Sequence, residues 1–257
     1  MRMRTGKTIV EPIDHDKKDD TKVLKTFPIT VLCIIIGGIF RVLYCLKYTV
    51  PVRDSIGYAA FIKNWISSGI ESNTRTFPPL ALYFVKTVSP WFNYDVMKTG
   101  RIINILFGLA IIIVAIKLTA VICKSNLAML MVGLICATHP TLIHFSCQML
   151  RENPYLFFCT LAAFTATKYY IERKTIYLYI SGMLSSAAFL CRFEGGEVLI
   201  ALIILVFLNS GIKSIKKKSV IALILIGSFL GSFFIISEMI GVSPDYYLRY
   251  QAELRNK

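Results

Sequence analysis

The stretch Pro79–Phe92 reads PLALYFVKTVSPWF, and whether it crosses a membrane or lies along one decides the fold of this chain. It is apolar, but Lys86, Ser89 and Pro90 interrupt it. Around it stand seven longer or cleaner apolar blocks: Phe27–Leu46, Ile102–Ile122, Leu127–Phe145, Tyr155–Ala166, Ile176–Leu190, Val198–Leu208 and Val220–Ile240. Most have the roughly 15–24 residues that a helix needs to cross a bilayer, and the fourth and sixth are the shortest. Hydrophobic residues make up 55% of the 257, and the mean hydropathy is +0.62. A soluble domain of this length cannot hide so much apolar surface in one core. Strand-length alternation is absent, which argues against a membrane barrel.

The distribution of basic residues chooses between the two readings. With Pro79–Phe92 on the surface, Lys7, Lys17, Lys18, Lys22 and Lys25 share the cytoplasmic side with Lys124, with Lys168, Arg173 and Lys174, and with Lys213, Lys216, Lys217 and Lys218. If the stretch crossed, the last three groups would move outside. The expectation is therefore an all-α polytopic membrane protein of about seven transmembrane helices, N-terminus cytoplasmic and C-terminus external. Residues 1–26 read as a flexible cytoplasmic tail, 27–243 as the transmembrane module, and 244–257 as an external tail, a truncated continuation. A bacterial plasma membrane is the expected location, on abundant Ile and Lys and no reticulum address. The same rule accounts for the net charge of +14. The cations sit in short runs between apolar blocks and form no face for a duplex, so nucleic acid is not an expected partner. The seven cysteines lie in or beside apolar blocks with no CxxC pair, and read as small buried hydrophobes. Met1–Lys25 lacks the apolar core of a signal peptide.

This topology makes residues 47–100 one long external loop. It also places the turn His139–Asn153 and the link Cys191–Glu197 outside, so Asp54, Arg151, Glu152, Arg192, Glu194 and Glu197 share one membrane face. Within the loop, Ile56, Ala60, Ile62, Ile66 and Ile70 recur at helical spacing, predicting a helix from Asp54 to Ser68 that Gly69 ends. Pro78 and Pro79 start a second amphipathic helix running through Trp91. Trp65, Tyr83, Trp91 and Phe92 suit the headgroup layer. Two such juxtamembrane helices lie flat and frame a cavity mouth.

Each candidate residue has a plain reading beside a functional one. Asp54 is a helix N-cap or a general base for an acceptor hydroxyl. Glu152 is favoured by the helix dipole just before Pro154, with Arg151 as an ion-pair partner, or is a carboxylate held near hydrocarbon for function. Arg192, Glu194 and Glu197 are a self-paired polar turn, or present a guanidinium fork to a phosphate. Arg41, inside the first span, is functional or snorkels to the external surface. His139 and His144 are too few for a metal site and read as structural. Gly227 and Gly231 form GxxxG, a sign of close helix packing. A transporter would require broken helices or inverted repeats, and neither is legible.

Several motifs, taken in order, resemble a known family. Asp54-Ser55-Ile56-Gly57-Tyr58 after the first span, Phe77-Pro78-Pro79-Leu80 through Tyr83, Gly100-Arg101 through Gly108, Leu150-Arg151-Glu152-Asn153-Pro154-Tyr155 and Leu190-Cys191-Arg192-Phe193-Glu194-Gly195 are similar to segments of the GT-C glycosyltransferases. The likeness is to the protein-O-mannosyltransferase-like group. The chain departs from that pattern at Ser55, Phe77 and Phe193. The resemblance implies a GT-C-like module that moves a hexose or pentose, with inversion, from a polyprenyl-phosphate donor to a lipid, glycan or protein hydroxyl on the external or lumenal face. It implies Asp54 as base, Glu152 as the second acid, and Arg192, Glu194, Arg101 and Tyr58 as substrate-binding residues. No metal-ligand spacing is visible and no cofactor is firmly implied; some branches of the superfamily use a divalent cation and others do not. A non-catalytic scaffold or subunit of a glycan-assembly complex is the alternative. If the enzyme reading holds, the carboxylates of Asp54 and Glu152 face one cavity about 5–10 Å apart, by analogy with hydrolases.

Overall fold

A computed structural model describes residues 25–48, 50–70, 77, 79–208, 212–243 and 246. Among these the chain is wholly helical. Ten α-helices follow in order: α1 Thr26–Lys47, α2 Arg53–Ser68, α3 Leu80–Val88, α4 Val96–Cys123, α5 Asn126–Thr138, α6 Pro140–Cys147, α7 Glu152–Glu172, α8 Ile176–Cys191, α9 Gly196–Leu208 and α10 Ile215–Ile240. Short 3-10 turns at Ser89–Phe92 and Phe193–Gly195 follow α3 and α8. The expected N-terminal tail, apart from its last two residues, and the expected C-terminal tail, apart from Tyr246, lie outside the described residues.

By length and composition α1, α4 and α10 can each cross a membrane, and α5 with α6 makes a fourth crossing if the bent pair counts as one. The other apolar blocks form α7, α8 and α9, and α8 is a shorter apolar helix. Pro79–Phe92 gives only the nine residues of α3 and a 3-10 turn. Nine helical residues reach about 14 Å, less than half of a hydrocarbon core.

The third apolar block, read from sequence as continuous, is broken. Between α5 and α6 the axis turns by 50° at His139 and Pro140. Pro140 has no N–H for the carbonyl of Cys136, so the α5 ladder ends there. The freed carbonyls are met by Arg41. Its guanidinium donates to the carbonyls of Ala137 at 3.2 Å, Cys136 at 3.4 Å and Gly37 at 3.0 Å, and its Nε donates to the Ser146 hydroxyl at 2.9 Å. Arg41 is fully buried and does not snorkel, contrary to one sequence reading. The cation sits at the negative end of the α5 dipole, where a charge with no carboxylate nearby is stabilised. Gly37 and Gly108 make the room: a Cβ on either would stand 3.0 Å from the guanidinium. A broken helix is therefore present after all, and a side chain of α1 fills the break.

Helix α4 is central. It packs on α1, α5 and α6 on one side and α7 on the other, and α8 lies between α7 and α10. Helices α2 and α3 pack over α4, and α3 also touches α8. The buried face of α2 is Ser55, Tyr58, Ala59, Phe61, Ile62 and Trp65, so of the isoleucines at helical spacing Ile62 turns inward, with Ile70 buried just beyond the helix. Ile56 and Ile66 are exposed, as suits a helix with protein beneath it and lipid beside it. Trp65 is buried against Phe61 and Tyr83, whereas Trp91 is 82% exposed. The GxxxG of α10 is also not a packing seam: nothing lies within 4 Å of a Cβ on Gly227 or Gly231. The close approach is at Gly182 of α8, where a Cβ would meet the Leu225 carbonyl of α10 at 2.8 Å.

Candidate active site

Three segments meet at one end of the bundle. Helix α7 begins there with Glu152, α8 ends there at Cys191, and α2 begins beside them. Glu152 stands in the first turn of α7, where the N-terminal dipole favours an anion. Its Oε1 accepts a hydrogen bond from Arg192 Nη1 at 2.8 Å. The other Arg192 Nη donates to Glu194 Oε1, also at 2.8 Å. Arg192 thus holds the start of α7 against the link into α9. The hydrogen bond that Arg192 donates to Glu194 is the chief reason that the arginine titrates above its ordinary range, and the same bond holds Glu194 below the ordinary carboxylate range. Glu152 Oε2 is buried and has no hydrogen-bond partner among the described residues. An unmet buried carboxylate oxygen in a folded protein calls for an explanation.

Arg151 was expected to pair with Glu152, and it does not. Its Nε donates to the Tyr58 hydroxyl at 2.9 Å, and its guanidinium carbon lies 4.9 Å from the Tyr58 ring and 5.5 Å from that of Phe77. It makes no ion pair among the described residues, although its charge is felt by Glu194. Tyr58 is 4% exposed, and burial above all lifts its hydroxyl above the ordinary phenol range; Arg151 opposes this, and the charges of Glu152 and Asp54 add to it. Both carboxylates therefore act on the same hydroxyl, Asp54 from one turn earlier on α2 and Glu152 from α7.

Asp54 is exposed and makes no hydrogen bond or ion pair among the described residues. It is not the N-cap of α2, which is Val52; it lies in the first helical turn, still within reach of the dipole. The cap position is tied instead to a residue that sequence reasoning passed over. Gln148 Oε1 accepts from the Val52 N–H at 3.2 Å, and its Nε2 donates to the Val50 carbonyl at 3.4 Å. Gln148 is 2% exposed and stands just ahead of Arg151 and Glu152. It clamps the entry to α2 onto the entry to α7, so Asp54 and Glu152 start from a common anchor. A glutamine beside an apolar run carries no motif, and only its cost if left unpaired in a buried place hinted at this role.

Behind Glu152, Asn153 donates to the Ser146 hydroxyl at 2.8 Å and to the Asn104 carbonyl at 3.0 Å. Ser146 also serves Arg41, so a buried polar chain runs from the helix break to the start of α7. Arg101, on the first turns of α4, acts electrostatically on Cys45 and Cys147 at the ends of α1 and α6. His144 is bonded to the Tyr44 hydroxyl at 2.9 Å. No group of three His, Cys, Asp or Glu side chains that could hold a metal ion occurs among the described residues.

No curated protein and no solved structure matches the chain. One family does: the profile of dolichyl-phosphate-mannose-protein mannosyltransferases matches residues 76–236, well over half of the sequence. The match includes Arg101, Arg151, Glu152, Arg192 and Glu194 and leaves Asp54 and Tyr58 outside it. With membrane-length helices and these charged residues inside the matched stretch, the chain belongs to the dolichyl-phosphate-mannose-protein mannosyltransferase family of membrane glycosyltransferases.

Proposed function

We propose that this chain transfers a sugar, mannose by the family's description, from a polyprenyl phosphate to a hydroxyl acceptor at the end of the bundle that carries Glu152. The observation that carries the reading is the unmet Oε2 of Glu152 beside a fixed Arg192. That oxygen is placed to accept a hydrogen bond from a sugar or acceptor hydroxyl. The acceptor oxygen attacks the anomeric carbon, and the bond from that carbon to the phosphate oxygen breaks. The polyprenyl phosphate leaves with the bonding pair, the acceptor proton passes to Asp54, and the anomeric centre inverts. The leaving group is already competent, so the protein has to orient, deprotonate and stabilise charge. Arg151, which faces aromatic rings and a phenol, meets the leaving phosphate. Arg192 takes part by exchanging its exposed partner Glu194 for donor phosphate, and Tyr58 and Arg101 complete the binding set.

In this reading α7, α8 and α9 cross as well, which gives seven spans, and the basic loops set the N-terminus inside and the site outside or lumenal. The second reading is a non-catalytic scaffold, favoured by the engagement of Arg192 with two carboxylates of its own chain. Purified protein with labelled polyprenyl-phosphate mannose and a serine- or threonine-containing peptide separates the two. The enzyme reading expects product from the natural sequence and a loss of about 10²-fold or more for Asp54→Asn at normal expression. Product at an undiminished rate from Asp54→Asn removes Asp54 as the base. Absence of product from the natural sequence across lipid, glycan and peptide acceptors favours the scaffold.

A further inference from the structure

The opposite end of α7 carries a second polar site. Helix α7 has 21 residues, so its C-terminus lies about 31 Å from Glu152. There a cavity of 460 Å³ opens between the end of α7 and the start of α10, lined by Tyr169, Arg173, Lys213, Ser214 and Lys217. A second cavity of 320 Å³ shares Tyr169, Lys217 and Ile221 with it and continues along Leu178, Val220 and Ile224. The first is cationic and the second apolar, with Lys216 at its rim. The pair has the shape of a head and a tail.

Among the described residues the cations are not explained by partners. Glu172, the nearest acid in sequence, is engaged by Lys168 at 2.7 Å, Lys174 at 3.3 Å and the Tyr177 hydroxyl at 2.9 Å. Lys218 caps the end of α9 through the Phe207 carbonyl. Arg173, Lys213, Lys216 and Lys217 have no acidic partner among the described residues. Tyr169 is 9% exposed as a residue, lines both cavities, and its hydroxyl has no hydrogen-bond partner among the described residues. The first turn of α10 adds free backbone N–H groups and the positive dipole end, with Ser214 occupying only the Lys217 N–H.

We propose that these joined cavities bind one anionic phospholipid, its phosphate among Arg173, Lys213, Lys217 and the Tyr169 hydroxyl and an acyl chain along Leu178, Val220 and Ile224. Lysine runs serving only to orient a membrane protein need no cavity, no unpartnered hydroxyl facing it and no apolar slot. The basic end is the cytoplasmic one in the topology above, and the cytoplasmic leaflet is the one rich in anionic lipid.

The test compares lipids on the full chain in mild detergent. Phosphatidylglycerol raises the thermal midpoint by several degrees and is retained in native mass spectra, while phosphatidylcholine does neither. The triple variant Arg173→Gln, Lys213→Gln, Lys217→Gln loses at least half of the shift. The charge-matched variant Lys47→Gln, Lys63→Gln, Lys98→Gln keeps it. Tyr169→Phe, which leaves packing intact, lowers retention at least twofold. Full retention in the triple variant overturns the site. A shift of equal size with inorganic phosphate alone makes it a site for a soluble anion and overturns the lipid. A shift that emerges only after removal of residues 1–24 assigns the cavity to Asp14, Asp16, Asp19 and Asp20 of the chain itself, and the proposal falls.

Discussion

The two ends of α7 obey the same dipole rule and reach opposite outcomes. An acid, Glu152, opens the helix and a base, Arg173, closes it, each where the backbone field favours it. At the first end the charges are answered from within the chain: Arg192 bridges Glu152 and Glu194, and Arg151 rests on Tyr58 and Phe77. At the other end Arg173, Lys213 and Lys217 surround a cavity with no acid among them. Where a chain supplies both signs it fixes geometry, as a reacting centre needs. Where it supplies one sign it waits for a ligand of the other.

The sharpest way to break this comparison is Glu152→Gln. The amide keeps an acceptor for Arg192 and removes the charge, so the end of α7 stays folded. If Glu152 acts on substrate, transfer drops by about 10²-fold or more with little change in thermal midpoint. A rate within threefold of the natural protein, measured with labelled donor, reduces Glu152 to a structural partner of Arg192.

Arg41 offers a third arrangement, a cation answered by carbonyls and one hydroxyl, with no carboxylate. Arg41→Met keeps the volume of the stem and leaves the Cys136 and Ala137 carbonyls without their donor, while the Ser146 hydroxyl keeps Asn153. Each orphaned group costs on the order of 1–3 kcal/mol, so a loss of about 3 kcal/mol is expected. Denaturant unfolding in detergent reads it. A change below about 0.5 kcal/mol, the level of an ordinary surface substitution, would show that lipid or water reaches the break and that the guanidinium is dispensable.

The sequence made the helices legible because apolar runs of crossing length have few other readings. It also brought Asp54, Glu152 and Arg192 to one end, since a short loop leaves its flanking charges little choice. What it could not carry was azimuth. On α2 the isoleucines of one helical spacing divide, Ile62 buried and Ile56 and Ile66 exposed, because beside a membrane both faces of a helix can be apolar and hydropathy does not say which side is protein. The break before Pro140 was visible as a proline, but its filling by Arg41 depends on packing between helices more than ninety residues apart. Partner choice was equally hidden: Arg151 adjoins Glu152 in sequence, yet successive residues on a helix point about 100° apart, and Arg192 takes the acid.

Tyr58→Phe probes the aromatic seat of Arg151. The ring stays under the guanidinium and only the hydroxyl acceptor goes, so the expected loss of stability is about 1 kcal/mol. A double cycle with Arg151→Met should show the two residues coupled, each costing less once the other is gone. Additive effects, read by thermal unfolding, would mean that Arg151 rests on the rings and that the hydrogen bond adds nothing.

The smallest effect belongs to Glu194, and its sign is set by the arginine. Hydrogen bonding to Arg192 holds this carboxyl below the ordinary glutamate range, with burial opposing in part. The folded state therefore prefers the ionised form more than the unfolded state does. The stabilisation is fully present above the ordinary value of about 4.3 and is lost as pH falls through the lowered one. Arg192 shifts the other way, upward, so its contribution fades only at alkaline pH near its own range. The Glu194 side chain is 52% exposed, and solvent screening leaves only a few tenths of a kcal/mol. Midpoints measured at pH 7 and again below the ordinary value should therefore differ slightly more for the natural protein than for Glu194→Gln, and the difference should shrink in high salt. If the two proteins lose stability in parallel, the Arg192–Glu194 contact is solvated away, and Arg192 is already free for a phosphate before any donor arrives.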